Sequence, residues 1–248
     1  EENVWNNNKT FTPQSTTQKD SKTISVALVG NPNSGKTTIF NTASGSHEHV
    51  GNYSGVTIDS NEGKLKPGGY TFKMVDLPGT YSLSAYTPEE LFVRKYILEE
   101  KPDIIINVVS ASALERNMYL TTELMELNAP MVIALNMYDE LQESGREFDY
   151  NSLSEMINTA IIPTIGKKGI GIPAMLDKII EMHETPNQDG NGNVHISYGR
   201  VLEKSISRLE MQFNKTDISH LNMSLRYICI KLLENDNDIR SVISTLPN

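Results

Sequence analysis

The sequence predicts an α/β fold, a mainly parallel sheet flanked by helices, followed by a small all-α domain. Three observations predict it. From Thr23 onward short apolar runs alternate with amphipathic stretches; two runs, "DIIINVVS" and "PMVIALNM", are continuously apolar; and beyond residue 193 the strand signal stops. Strands that alternate with helices assemble into parallel sheets, and continuously apolar strands are those buried on both faces.

Residues 1–22, "EENVWNNNKTFTPQSTTQKDSK", are rich in Asn, Thr, Gln and Ser without an apolar period. They read as a disordered leader or inter-domain linker. The chain opens on Glu1 rather than methionine, as a processed or cut-out chain does. The domain at 23–184 begins with the strand "TISVALVG" and continues with "YTFKMVD", "DIIINVVS", "PMVIALNM" and "AIIPTIG". Helices are expected between them at Lys36 to Ser44, Pro88 to Glu99, Leu114 to Leu127, Ser152 to Asn158 and Ile172 to His183. The turn-rich "ETPNQDGNGN" at 184–193 separates this unit from residues 185–248. There "YGRVLEKSISRLEMQF" sets Val201, Leu202, Ile206, Leu209 and Phe213 at helical spacing, and "SLRYICIKLLEND" and "DIRSVISTL" follow. This accessory helical domain is expected to be incomplete at Asn248.

Composition narrows the classes. With 248 residues, 38% hydrophobic and 21% charged, the chain holds one good core or a medium domain plus a small one. A net charge of -9 argues against nucleic acid as a general partner, because phosphate backbones need basic faces. The single cysteine, Cys229, excludes an intramolecular disulfide, and its apolar helical setting reads as a packed thiol. The run "IIINVV" is far shorter than the roughly 20 apolar residues that span a bilayer.

The chemistry lies in motifs at strand ends. "GNPNSGKT", comprising Gly30, Asn31, Pro32, Asn33, Ser34, Gly35, Lys36 and Thr37, is a phosphate-binding loop between a strand and a helix. Its backbone N–H groups curl around phosphates at a helix N-terminus, Lys36 reaches the β and γ phosphates, and the Thr37 hydroxyl ligates Mg²⁺. Thr38 continues this surface. "DLPG", with Asp76, Leu77, Pro78 and Gly79, lies about 40 residues later at another strand end. Taken singly it is a turn; at this spacing Asp76 is expected to hold Mg²⁺ and the Gly79 N–H to meet the γ-phosphate. "NMYD" follows the strand "PMVIAL". Asp139 can accept from guanine N1–H and the exocyclic amine, two donors that adenine lacks on that edge. Asn136 anchors the motif, and Met137 stands where a lysine stem commonly stacks on the base. In "TIGKKGIG" the backbone around Ile165, Gly166 and Lys167 is expected to cap the guanine carbonyl.

Between the first two motifs, "HEHVGNYSGVTIDS" offers Thr57, beside Gly55 and Val56, as the mobile threonine that closes over magnesium and the γ-phosphate. His47 and His49, with only Glu48 between them, read as a solvated loop rather than a metal site. Together these motifs predict a phosphate-loop GTPase with GTP or GDP and Mg²⁺ as cofactors. A phosphate-loop kinase or ATPase would lack a guanine reader such as Asp139. A ribosome-associated GTPase fits the acidic charge poorly. A nucleotide-occupied tether with negligible turnover is favoured by one feature: many such enzymes orient the attacking water with a glutamine after the glycine, and here that residue is Thr80, with the bulky Tyr81 behind it.

"GNPNSGKTTIFN", "HVGNYSGVTID", "DLPGTYSL", "LERNMYLTTELMEL" and "VIALNMYDE" together resemble the cytoplasmic N-terminal domain of bacterial ferrous iron transport protein B. "YGRVLEKSI" and "RYICIKLLE" are similar to that family's helical domain, and Ser110 and Ala113 depart from its usual Asp and Asn before "LERN". The resemblance implies slow, K⁺-stimulated GTP hydrolysis regulating a membrane iron-permease region C-terminal to Asn248, at the cytoplasmic face of the inner membrane. It also implies a small fused or separate β-barrel partner, and a potassium ion held by the Asn33 side chain and the carbonyls of Gly51 and Tyr53.

Overall fold

The structure of the chain, a computed structural model, describes residues 23–45, 49–52, 59–84, 86–185, 196–213, 218 and 221–244. The predicted leader 1–22 and the expected ligands Tyr53, Gly55, Val56 and Thr57 lie outside them, as does His47. Seven strands form one sheet: β1 (Thr23–Gly30), β2 (His49–Asn52), β3 (Asp59–Leu65), β4 (Thr71–Asp76), β5 (Ile104–Ser110), β6 (Met131–Asn136) and β7 (Ile161–Pro163). Their spatial order is β2-β3-β4-β1-β5-β6-β7. The five strands from β4 to β7 run parallel, while β2 and β3 add an antiparallel edge.

Period-two side-chain alternation divides the core across the sheet. On one face Ile24, Val26 and Leu28 of β1 join Ile104, Ile106 and Val108 of β5 beneath α1 (Lys36–Ser44) and α6 (Ile172–Glu184). On the other, Ala27, Val29, Ile105 and Val109 meet α2 (Pro88–Glu100) and α3 (Leu114–Glu126). All seven residues of β5 and all six of β6 are buried, which is why both read as unbroken apolar runs. α2 starts on a capping box, Thr87 with Glu90, and Pro88 fills its first turn.

Five elements depart from the sequence expectation. β2 and β3 occupy ground expected to be loop; "DSNEGKL" carries almost no apolar signal, and pairing with β4 makes it a strand. Gly63 of β3 lies so close to α1 that an added Cβ would stand 2.8 Å from Ser44 Cβ. A short helix, α4 (Tyr138–Glu143), follows Met137 directly. α5 (Tyr150–Ile157) begins two residues earlier than expected because Asp149 caps it, accepting from the Ser152 N–H at 2.9 Å. β7 stops at Pro163, and the remainder of "AIIPTIG" turns into a 3-10 turn at Gly166–Lys168.

Beyond residue 196 lie α7 (Arg200–Phe213), α8 (Leu225–Leu233) and α9 (Asn237–Ser244). Of the apolar set on α7 only Ile206 is buried. Cys229 is fully buried in α8, and burial pushes its thiol up to about 11, as a packed thiol requires. No helix among the described residues is long and apolar enough to cross a membrane.

These helices are joined to the sheet domain by buried charge. Arg94 of α2, 1% exposed, donates to Asp236 at 2.7 Å and to Asp238 at 2.6 Å. Removing one partner of a buried pair strands the other. Arg94→Ala is therefore expected to lower unfolding free energy by about 3 kcal/mol, whereas Asp238→Ala, at the partly exposed end, should cost about 1 kcal/mol or less. Urea denaturation of the two variants checks the ranking.

Candidate functional site at the carboxyl ends of the strands

Parallel strands present their C-terminal ends on one edge, the usual place for a ligand crevice in open α/β sheets. The register puts Leu28 beside Asp76, Gly30 beside Val108, and Ser110 beside Asn136, so the ends of β1, β4, β5 and β6 are level. Three of the sequence motifs thus share one edge. Ile165, Gly166 and Lys167 follow β7 onto it.

The phosphate loop is shaped by two left-handed residues, Asn33 (φ 65°) and Gly35 (φ 84°). Gly35 is needed twice: its conformation disfavours a side chain, and an added Cβ would stand 2.2 Å from Asn136 Nδ2. The Ser34 N–H donates to the Asn31 carbonyl at 3.1 Å, closing the turn before α1. Asn31 and Ser34 are buried, whereas Asn33 is exposed.

Asp76 is the electrostatic centre. It is 5% exposed, its Oδ1 pairs with the Lys36 ammonium, and its Oδ2 accepts from the Thr37 hydroxyl at 2.8 Å. The first two residues of α1 are therefore both held on the end of β4. After it, the Leu77 N–H donates to the Leu28 carbonyl and the Thr80 N–H to the Gly30 carbonyl, each at 3.1 Å. Gly79 is pressed onto the phosphate loop, where an added Cβ would lie 3.1 Å from Pro32 Cα. Thr80 is buried, and its hydroxyl donates to the Ser82 carbonyl at 2.7 Å, back into its own loop.

Asn136 braces the opposite side. Its Nδ2 donates to the Ser34 carbonyl at 2.9 Å, and its Oδ1 accepts from the Gly166 N–H at 2.9 Å and, more weakly, from the Thr164 hydroxyl at 3.4 Å. Met137 takes a left-handed φ of 59° and opens α4, placing Asp139 in the helix's first turn. Asp139 accepts from Lys168 Nζ at 3.1 Å, and that contact is the main reason its carboxyl lies below the usual range. Lys167, the sequence candidate, is exposed. Ser110, one of the two departures noted in the sequence, bonds through its N–H to Asn117 Oδ1 at 3.3 Å and contacts Met137 Sδ at 3.6 Å through its hydroxyl. Gly51 lies in β2 opposite Ser60.

Sequence reasoning missed the residues that hold the far end of the loop after Asp76. The Leu83 N–H donates to Glu123 Oε2 at 2.7 Å, and Arg94 Nη1 donates to the Leu83 carbonyl at 3.2 Å. Glu123 is paired with Lys231 of α8, and Arg94 with Asp236. A signal was available: Arg94 in "LFVRKYI" and Lys231 in "YICIKLL" are charges set inside apolar helical runs, where burial demands a partner.

The family described as ferrous iron transport protein B matches residues 24–179, and the FeoB cytosolic helical domain matches residues 198–247. The chain is 47% identical over 225 residues to the Fe(2+) transport protein A/Fe(2+) transporter FeoB fusion protein of Porphyromonas gingivalis, covering 90% of this chain and 26% of that protein. It is 38% identical over 218 residues to the Fe(2+) transporter FeoB of Staphylococcus aureus, covering 88% and 32% respectively. The chain thus spans about a quarter to a third of the length of these curated relatives. Among solved structures, the apo cytosolic domain of T. maritima FeoB is similar with a TM-score of 0.82 and 31% identity, covering 91% of this chain and 88% of that one. A GDP-bound variant of S. thermophilus NFeoB is similar with a TM-score of 0.77 and 35% identity, covering 91% and 84%.

The brace yields a stability test. Asn136→Ala leaves a buried carbonyl at Ser34 and a buried N–H at Gly166 without partners, at about 1–3 kcal/mol each. It is expected to lower unfolding free energy by at least about 2 kcal/mol, and Thr164→Val, which removes only the 3.4 Å contact, by about 1 kcal/mol or less. Thermal or urea unfolding of the two variants measures the difference.

Proposed function

Because the chain belongs to the ferrous iron transport protein B family, carrying its G domain and then its cytosolic helical domain, we propose that it binds GTP and slowly hydrolyses it to GDP and phosphate, stimulated by K⁺. One observation carries this reading: Lys36 and Thr37 converge on a single buried carboxylate, Asp76, at the head of the loop that presses Gly79 onto the phosphate loop. An ammonium, a hydroxyl and a carboxylate at that spacing suit a triphosphate with its divalent cation. Neighbours solved with GDP and with GMPPNP support a guanine nucleotide as the ligand.

In this reading the backbone from Asn31 to Thr38 wraps the phosphates, with their charge favoured by the N-terminus of α1. Lys36 bridges the β and γ phosphates. The Thr37 hydroxyl and Asp76 Oδ2, 2.8 Å apart, are hard oxygen donors that fit Mg²⁺, with Thr57 as the further ligand. The Gly79 N–H, preceded by Leu77 and Pro78, meets the γ-phosphate. Asp139 reads guanine by accepting its N1–H and amine, Met137 covers the base, and Ile165, Gly166 and Lys167 cap its carbonyl. Adenine offers Asp139 neither donor and is rejected.

The group that stabilises charge between the β and γ phosphates is the Asn33 side chain acting with a monovalent cation. Asn33 is exposed at the crest of the loop, and no hydrogen bond holds its carboxamide among the described residues, so its carbonyl oxygen is available. Asn33, with the carbonyls of Gly51 and Tyr53, would hold a potassium ion, and that ion would supply the positive charge that an arginine provides in other GTPases. The residue after Gly79 gives no such help, since the Thr80 hydroxyl is committed to Ser82. That commitment also favours a second reading, a nucleotide-occupied regulatory tether that hardly turns over.

The whole protein is read as an iron transporter of the inner membrane with this part on the cytoplasmic side. The grip of Glu123 and Arg94 on Leu83, each tied onward to the helical domain, supports a relay from nucleotide state to the permease region. A β-barrel protein remains the second proposed partner, consistent with the fused relative.

Phosphate release separates the readings. The parent is expected to hydrolyse GTP faster in K⁺ than in Na⁺ at matched ionic strength, and Asn33→Ala to lose the difference while still binding GDP. Equal rates in the two cations would remove the role of Asn33, and no phosphate release over an hour in K⁺ would favour the tether.

A further inference from the structure

We propose that Lys168 is a positioning residue for Asp139 and so a determinant of base selectivity. The proposal rests on the reading of Asp139 as the guanine acceptor. To accept two parallel N–H donors, a carboxylate must keep both oxygens in the plane of the base. Asp139 gets no such restraint from burial, since its side chain is 28% exposed at the first turn of a six-residue helix. Its side-chain restraint comes from across the site: Lys168 Nζ donates to Oδ2 at 3.1 Å, while the backbone N–H groups of Asp139 and Glu140 act on the carboxylate more weakly from its own helix.

What makes Lys168 more than a surface charge is its mount. It ends the 3-10 turn Gly166–Lys168, and that turn is fixed on several sides. The Gly166 N–H donates to Asn136 Oδ1 at 2.9 Å, the Gly166 carbonyl accepts from the Thr42 hydroxyl at 3.0 Å, and the Ile165 N–H donates to the Ile170 carbonyl at 3.0 Å. One turn therefore holds both polar residues of "NMYD", Asn136 by its backbone and Asp139 by the Lys168 side chain. Lys168 also neutralises a carboxylate that would otherwise be covered by the base with only neutral donors facing it. An exposed ion pair contributes little to folding. Once a base seats against Asp139 and displaces water, the same pair acts at lower dielectric and gains strength.

The test compares GDP with IDP, which keeps N1–H and lacks the exocyclic amine. A two-donor contact depends steeply on carboxylate orientation; the single donor of inosine tolerates its rotation. Lys168→Met is expected to weaken GDP binding by about threefold or more and IDP binding by less, so the GDP/IDP preference shrinks. Lys168→Arg should restore the preference, and thermal unfolding of both should match the parent because the pair is exposed. Unchanged GDP affinity in Lys168→Met, or equal proportional losses for GDP and IDP, would overturn the proposal. Asp139→Asn separates this failure from that of the underlying reading. If Asp139→Asn loses at least about tenfold for GDP and gains for xanthine nucleotides while Lys168→Met is silent, Lys168 alone is excluded. If Asp139→Asn binds GDP like the parent, Asp139 is not the reader and the role of Lys168 falls with it.

Discussion

A buried carboxylate needs partners, and the organisation of the site follows from how Asp76 obtains them. At 5% exposure an unpaired charge would be costly to bury. Its partners are consecutive residues at the start of α1, so the helix must begin where the Lys36 and Thr37 side chains can both reach the end of β4. That requirement fixes the phosphate loop between β1 and α1, and with it the left-handed turns at Asn33 and Gly35. The parallel pairing of β1 with β4 supplies the level ends on which this geometry depends.

From Asp76 the chain runs eight residues to Leu83 with both ends anchored. At the first end the anchors are backbone bonds to Leu28 and Gly30 and the contact of Gly79 with Pro32. At the second they are Glu123 and Arg94, which hold the N–H and carbonyl of one peptide residue. Each anchor is itself paired with α8 or the segment before α9. A buried charge pair rarely adds much stability over an apolar contact of the same size, but it tolerates misalignment poorly. The seam therefore ties the backbone of Leu83 to the helical domain through two buried charge pairs.

Much of this was legible in the sequence, for identifiable reasons. β5 and β6 declare themselves because every residue is buried, and Lys36, Thr37, Asp76 and Asn136 because they stand in recognisable motifs at the ends of apolar strands. β3 was not legible: "DSNEGKL" owes its strand form to pairing with β4 and to Gly63 lying flat against α1, neither of which leaves an apolar period. Arg94 and Lys231 signal by their apolar settings that buried partners exist, but the grip on Leu83 itself was hidden because it acts on backbone atoms. Lys168 was hidden beside Lys167, since two adjacent lysines in a loop carry no period that says which one reaches Asp139. Asn136 was legible as part of a motif, yet its structural role, linking Ser34 to Gly166, appears only when the three loops are seen together.

The loops at Gly30–Thr37, Asp76–Gly79 and Asn136–Asp139 are proposed to form one site for a guanine nucleotide. Competition for a fluorescent GDP analogue bound to the chain in Mg²⁺ tests it most directly. Unlabelled GTP is expected to displace the analogue, and ATP at the same concentration to leave it bound. Displacement by ATP as readily as by GTP would show that the three loops do not form a guanine-selective site.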